Sequence, residues 1–81
     1  MSVKPELKEW IRSHFDIGDD PDYVDAADIF DLGFVDSFGA VEIIAHIEAT
    51  WNVEVTQRDI IVHRMRTLDE IADVVDAKMA G

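Results

Sequence analysis

The chain contains no cysteine among its 81 residues. That excludes a disulfide framework, a zinc–thiolate site and a cysteine nucleophile, so any thiol chemistry must come from an attached group. Proline occurs twice and glycine four times, and there is no repeat, linker or low-complexity tract. Basic residues are scarce: 7 Lys and Arg stand against 18 Asp and Glu, a formal net charge of −11. None lies between Arg12 and Arg58. Nucleic acid is therefore not a partner, because phosphate binding relies on basic groups that displace counterions. Basic protein surfaces would be attracted, with fast and salt-sensitive encounters; the plainer reading is that the acidity serves solubility. No signal peptide or membrane-spanning run is visible, which predicts a cytoplasmic protein without a membrane partner. The length suits a single domain over residues 1–81, a monomer with one modest core and no deep substrate pocket.

What is present has helical periodicity. A first helix is expected after Ser2, with Pro5 tolerated in its first turn, and Leu7, Trp10, Ile11 and His14 on its buried face. Gly18 is expected to end it. From Gly18 to Gly33 the Asp-rich sequence reads as a long loop pinned by Tyr23, Val24, Ile29, Phe30 and Leu32, and so long a loop in a small domain calls for a functional reason. A second helix runs from about Ser37 to Trp51. The segment Asn52–Thr56 alternates like a strand but has nothing to pair with, so it reads as a connection. Thr56 can cap a brief third helix through Ile60 and Ile61. Thr67 and Glu70 form a T-x-x-E capping box that opens a last helix with Leu68, Ile71, Ala72, Val75 and Met79 on one face. The predicted fold is all-α, a small four-helix bundle with three main helices, a short third one and a long first loop.

The second helix carries two apolar stripes. Ala40, Ile43, Ile44, Ile47 and Trp51 form a core face, whereas Phe38, Val41 and Ala45 lie on another side, flanked by Glu42 and Glu48. A bundle this small does not bury both, so the second stripe is a candidate partner surface; the alternative is that Phe38 staples the loop to the helix. A further group, Arg58, His63, Arg64 and Arg66, makes a basic island around the third helix. It either relieves repulsion from the Asp-rich loop or, through Arg64 and Arg66, meets acidic groups on one dedicated partner.

Ser37, behind Asp36 at the start of the second helix, is the candidate functional residue. It could be an N-cap. A hydrolase nucleophile is a poor reading, since V-D-S-F-G lacks the first glycine of G-x-S-x-G. The chain also cannot build the sheet and oxyanion hole around such a serine, although His46 and His63 exist. A calcium loop between Asp16 and Asp31 fails on ligand spacing. The remaining reading is a covalent attachment point, with a phosphodiester on Ser37 favoured by the helix N-terminus.

The segment D-I-F-D-L-G-F-V-D-S-F-G-A-V-E-I-I-A-H-I-E-A-T-W-N-V-E-V, Asp28 to Val55, resembles the acyl and peptidyl carrier proteins. Their attachment motif is Asp-Ser-Leu or Asp-Ser-Met at the start of the second helix. The likeness extends over nearly the whole chain. It implies 4′-phosphopantetheine, taken from coenzyme A, on Ser37, with Asp36 as the motif acid and an acyl or aminoacyl cargo held as a thioester. It implies no catalytic residue and no metal. The implied partners are a phosphopantetheinyl transferase, a ligase or acyltransferase that charges the thiol, and a downstream synthase or transferase. The pathway would be fatty acid, polyketide or nonribosomal peptide biosynthesis. Phe38 replaces the usual Leu or Met and Gly39 the acid of fatty-acid carriers, which looks more like carriers of activated amino acids such as the D-alanyl group. A free-standing carrier is expected, with a domain of a larger synthase as the alternative. A different class of function is an acidic adaptor that binds a basic partner and bears no prosthetic group.

Overall fold

Residues 2–81 are described by a computed structural model, and they form four helices with no strand among them. These are α1 (Lys4–His14), α2 (Ser37–Trp51), α3 (Gln57–His63) and α4 (Leu68–Ala80). Both α1 and α3 pack on α4. Leu7 and Ile11 of α1, Ile43 and Ile47 of α2, and Leu68, Ile71, Ala72 and Val75 of α4 meet in one core. Completely burying a side chain of this kind contributes about 1.5–3 kcal/mol, so these positions dominate the stability of so small a domain. Val74 is also buried, whereas Met79 is 52% exposed because the last turn of α4 runs past the core. The expectation for Met79 is thus corrected.

The start of α1 has no side-chain cap. Instead, Asp76 of α4 accepts from the Val3 N–H at 2.9 Å and from the Ser2 hydroxyl at 2.6 Å, tying α1 to α4. The end of α1 is set by Asp16 and not by Gly18. Asp16 takes the left-handed conformation (φ 54°). Its N–H bonds to the Ser13 carbonyl at 3.3 Å, and the Ile17 N–H bonds to that of Arg12 at 2.9 Å. This pair of bonds is the Schellman closure, and a short polar Asp tolerates the αL residue it requires.

The long loop is held at particular points. Tyr23, Ile29 and Val35 are buried, and the Tyr23 hydroxyl donates to the Lys8 carbonyl at 2.7 Å. Burial pushes the Tyr23 phenol above its usual range. Val24 and Leu32, expected as pins, are each 49% exposed. Their N–H groups close local turns onto Asp22 and Asp28, and those turns leave both side chains facing outward. Two irregular segments are joined where the Ile29 N–H donates to the Arg66 carbonyl at 3.0 Å. Beside that bond, Arg66 Nε donates to Asp28 at 2.6 Å. Nearby, Lys8 binds Asp25 at 2.8 Å and Lys4 binds Asp69 at 2.6 Å. The bond from Arg66 holds the Asp28 carboxyl below its ordinary range, and the bond from Lys8 does the same for Asp25.

The short helix has more support than a Thr cap. Thr56 and Asp59 form a full capping box, and Lys78 of α4 reaches Asp59 at 2.9 Å. The Thr56 N–H, then Lys78, hold the Asp59 carboxyl down to about 2. The second box, Thr67 with Glu70, opens α4. Within Asn52–Thr56, Val55 is buried and its N–H donates to the Glu48 carboxylate at 3.2 Å, so this segment is a connection.

His14 is exposed, not part of the core face. Its ring stacks on Trp10 with centroids 4.4 Å apart, and the His46 ring stacks on Trp10 at 4.0 Å. Glu42 of α2 bonds His14 at 2.7 Å. Burial, then the charge of His14, pull the His46 pKa below its ordinary 6.5, with Glu6 opposing. The unfolded chain therefore binds the His46 proton more readily than the folded one. This contribution to stability is complete above about pH 6.5 and is lost as the pH falls below it. Thermal melts should show a lower Tm at about pH 5.5 than at about pH 7.5, with His46→Gln reducing the difference. An equal pH slope in that variant would remove His46 as its source.

Candidate functional site

Asp36 is the N-cap of α2: its backbone is extended and its carboxylate accepts from the Gly39 N–H at 2.8 Å. Ser37 is therefore the first residue of the helix and not its cap, which corrects the capping reading. The division has a chemical consequence. Because Asp36 takes the capping role, the exposed Ser37 hydroxyl makes no hydrogen bond among the described residues. The first N–H groups of a helix have no intrahelical acceptor, so the Ser37 hydroxyl oxygen stands beside uncommitted donors.

Gly39 is a residue whose structural role sequence reasoning missed. It is buried, and a Cβ there would lie 2.6 Å from Val35 Cγ1 and 2.8 Å from Phe15 Cε1. The glycine thus lets the end of the loop and the end of α1 approach the helix start. A readable signal existed, since glycine inside a helix costs about 1 kcal/mol relative to Ala and so calls for a packing reason.

The second stripe of α2 is open to solvent: Phe38 is 82% and Val41 67% exposed, and Ala45 is exposed beside them. Phe38 consequently does not staple the loop. The two flanking acids differ, for Glu42 is exposed and bonded to His14, while Glu48 is half-buried and holds the Val55 N–H. The basic island divides as well. Arg66 is committed to Asp28 and lies over the Phe30 ring at 5.6 Å, as the counterion reading expects. Arg58 and Arg64 pair with no carboxylate among the described residues, and both are exposed. On α3 itself Ile61 and Val62 are 79% and 61% exposed.

A cleft of about 270 Å3 opens between α2 and the end of α3, lined mainly by apolar groups. Ser37, Ala40, Ile44, Ile60, Arg64 and Met65 contribute to its walls. Thus Ser37 shares one concavity with Arg64 and Arg66, whereas Asp36, Phe38 and Glu42 line a separate depression with Phe15 and Gly39. Met65 reaches the core through a γ-turn of the rare positive-φ kind: Arg64 has φ 65° and ψ −44°, and the Met65 N–H donates to the His63 carbonyl at 2.7 Å.

A four-helix domain with a free serine hydroxyl at the start of α2, beside a shallow apolar cleft, has the form of a non-catalytic carrier. The family model described as the phosphopantetheine attachment site matches residues 6–75, and the chain belongs to that family. Its members bear 4′-phosphopantetheine covalently and are served by phosphopantetheinyl transferases and biosynthetic enzymes. Comparison with curated proteins and with solved structures gave no match. Among the described helices none is long and apolar enough to cross a membrane.

The assignment of the cap leads to an asymmetry in stability. Asp36→Ala should lower stability by about 0.5–2 kcal/mol, the cost of losing an N-cap. Ser37→Ala should stay within about 0.5 kcal/mol, as for an ordinary surface change. Urea unfolding of both variants checks this, and equal losses would contradict it. Gly39→Ala tests the close approach in the same way. Overpacking costs about 1–3 kcal/mol, enough to outweigh the helix-propensity gain of about 1 kcal/mol. The Tm should fall, and the loss should be smaller when Val35→Ala is already present. A rise in Tm for the single variant would refute the steric account.

Proposed function

We propose that Ser37 bears the 4′-phosphopantetheine arm and that the protein presents an acyl or aminoacyl group as a thioester to biosynthetic enzymes. The observation that carries this reading is the uncommitted Ser37 hydroxyl at the start of α2, freed by Asp36 acting as the cap. The residues fit the group. In the attachment step the Ser37 oxygen would lose its proton and form a bond to the phosphorus of the arm, while the pyrophosphate P–O bond of coenzyme A breaks and adenosine 3′,5′-bisphosphate leaves. The resulting anion sits where free N–H groups and the helix dipole favour negative charge. The group supplies a thiol, which this cysteine-free chain lacks. The neighbouring apolar cleft supports a cargo with a hydrocarbon portion.

Docking of the loading and transfer enzymes is proposed at the open stripe of α2. Phe38 and Val41 would supply apolar contact, and Glu42 would face basic residues of the partner. Glu48 is a weaker candidate, since its carboxylate is held by the Val55 N–H. The acidic surface speeds encounter, and a tethered thiol raises the effective concentration of cargo at each enzyme.

Incubation with coenzyme A and a permissive phosphopantetheinyl transferase should add the mass of one arm, and Ser37→Ala should abolish the gain while remaining folded by circular dichroism. Phe38→Ala should load more slowly, with stability within about 0.5 kcal/mol of the parent. Labelling that persists in Ser37→Ala would overturn the site. No gain in the parent protein would favour the adaptor reading.

A further inference from the structure

We propose that Arg64 is a positioning residue for the prosthetic arm: its guanidinium pairs with the phosphodiester on Ser37 and lays the arm along the cleft between α2 and α3. The proposal rests on Ser37 being the attachment residue, but it concerns a different question, where the arm goes once attached.

Three observations lead to it. First, Ser37 and Arg64 line the same concavity, whose other walls include Ala40, Ile44, Ile60 and Met65. Second, the cations of this acidic chain are mostly committed. Lys4, Lys8, Arg12, Arg66 and Lys78 each reach a carboxylate within 4.0 Å, whereas Arg58 and Arg64 have no such partner among the described residues, and of these two only Arg64 lines the cleft with Ser37. Third, Arg64 occupies the centre of the strained γ-turn that ends α3, with φ 65°, a conformation that a non-glycine residue adopts at a cost. Glycine would fit that backbone better. Strain of this kind is retained where the side chain is needed in place.

The chemistry is complementary. A phosphodiester carries one negative charge and presents acceptor oxygens, and guanidinium is the side chain best suited to pair with them. Arg66, the other cation lining the cleft, is occupied by Asp28 at 2.6 Å. Among the two, Arg64 is therefore the one available to an anion on Ser37. With the phosphate so held, the rest of the arm would run over Ile60 and Met65 instead of into open solvent. The contact is exposed, so it biases the arm without trapping it, and a docking enzyme could displace it.

The test uses the loaded protein, verified by intact mass, and reads the arm itself. In the parent, the phosphorus NMR shift of the loaded form should differ from that of the same arm on an unfolded peptide. Nuclear Overhauser contacts should join the arm to the Ile60 and Met65 methyl groups. Arg64→Gln should reduce the contact intensity about two- to fivefold, in the range expected for one exposed ion pair, and Arg64→Lys should keep most of it. Arg64→Gly adds an independent reading, because it should raise the Tm by relieving the turn yet lose the arm contacts. If a variant loads poorly, a salt titration of the loaded parent gives the same information. About 1 M salt shortens the screening length to about 3 Å and should release the arm. Arm contacts unchanged in loaded Arg64→Gln, or unchanged by salt in the parent, would overturn the proposal while leaving the carrier reading intact. Failure of the parent to gain the arm's mass would overturn both.

Discussion

The arrangement of the domain depends on a single junction, where Asp28 and Ile29 of the long loop meet Arg66 in the connection between α3 and α4. One backbone bond and one charge-assisted bond join two segments that have no regular structure of their own. Ile29, wholly buried, anchors the loop side, and Met65, nearly so, anchors the other. The rest of the loop is held by the buried Tyr23 and Val35 and by Asp25, which bonds Lys8 and the Asp69 N–H, and the approach of Val35 to Gly39 sets the start of α2. The position of Ser37 is thus fixed from behind by contacts in which Ser37 has no part. The loop's length then has a physical explanation: it must cross from the end of α1 to the core anchor and return to the head of α2.

At the head of α2 the two motif residues divide the work. Asp36 meets the helix's need for an acceptor, which leaves Ser37 without a structural duty. A serine that capped the helix would have to break its own bond before reacting. An aspartate immediately ahead of it removes that requirement. A carboxylate at the helix start is also favoured by the dipole, so the cap is a strong one. The arrangement accounts for the Asp-Ser order: the reverse order would leave serine capping and aspartate exposed.

Much of this was legible in the sequence where periodicity and capping chemistry agree. The boundaries of α2, the Thr67–Glu70 box and the buried positions Leu7, Ile11, Ile43 and Ile47 follow from spacing alone. The sequence was less informative where one residue type can serve two ends. Gly18 looks like the terminator of α1, yet Asp16, two residues earlier, takes that place, because a short polar side chain also tolerates the left-handed region. Val24 and Leu32 look like anchors by composition, yet in an irregular segment only local turns decide which way a side chain faces. The steric role of Gly39 requires Phe15 and Val35 to be brought together by the fold. The free state of Arg64 and the committed state of Arg66 could not be told apart in sequence, where they are two basic residues with one position between them.

The distribution of charge bears on how such a domain can be used repeatedly. Its cations are spent largely on holding loops and helix ends, and no Lys or Arg pairs with the acids of α2 among the described residues: Glu42 bonds His14 and Glu48 holds the Val55 N–H. Exposed ion pairs contribute about 0–1 kcal/mol each and weaken with salt. That weakness suits a carrier, since every enzyme that docks must also leave before the next can act. A deep hydrophobic interface would hold one partner and exclude the others. Here Phe38 and Val41 offer only a narrow apolar strip, which in the proposed docking mode would orient a partner once opposite charge had brought it close. The same reasoning applies within the domain: an arm held in a buried pocket would resist transfer, while an arm biased by one exposed guanidinium stays close to the surface and remains available.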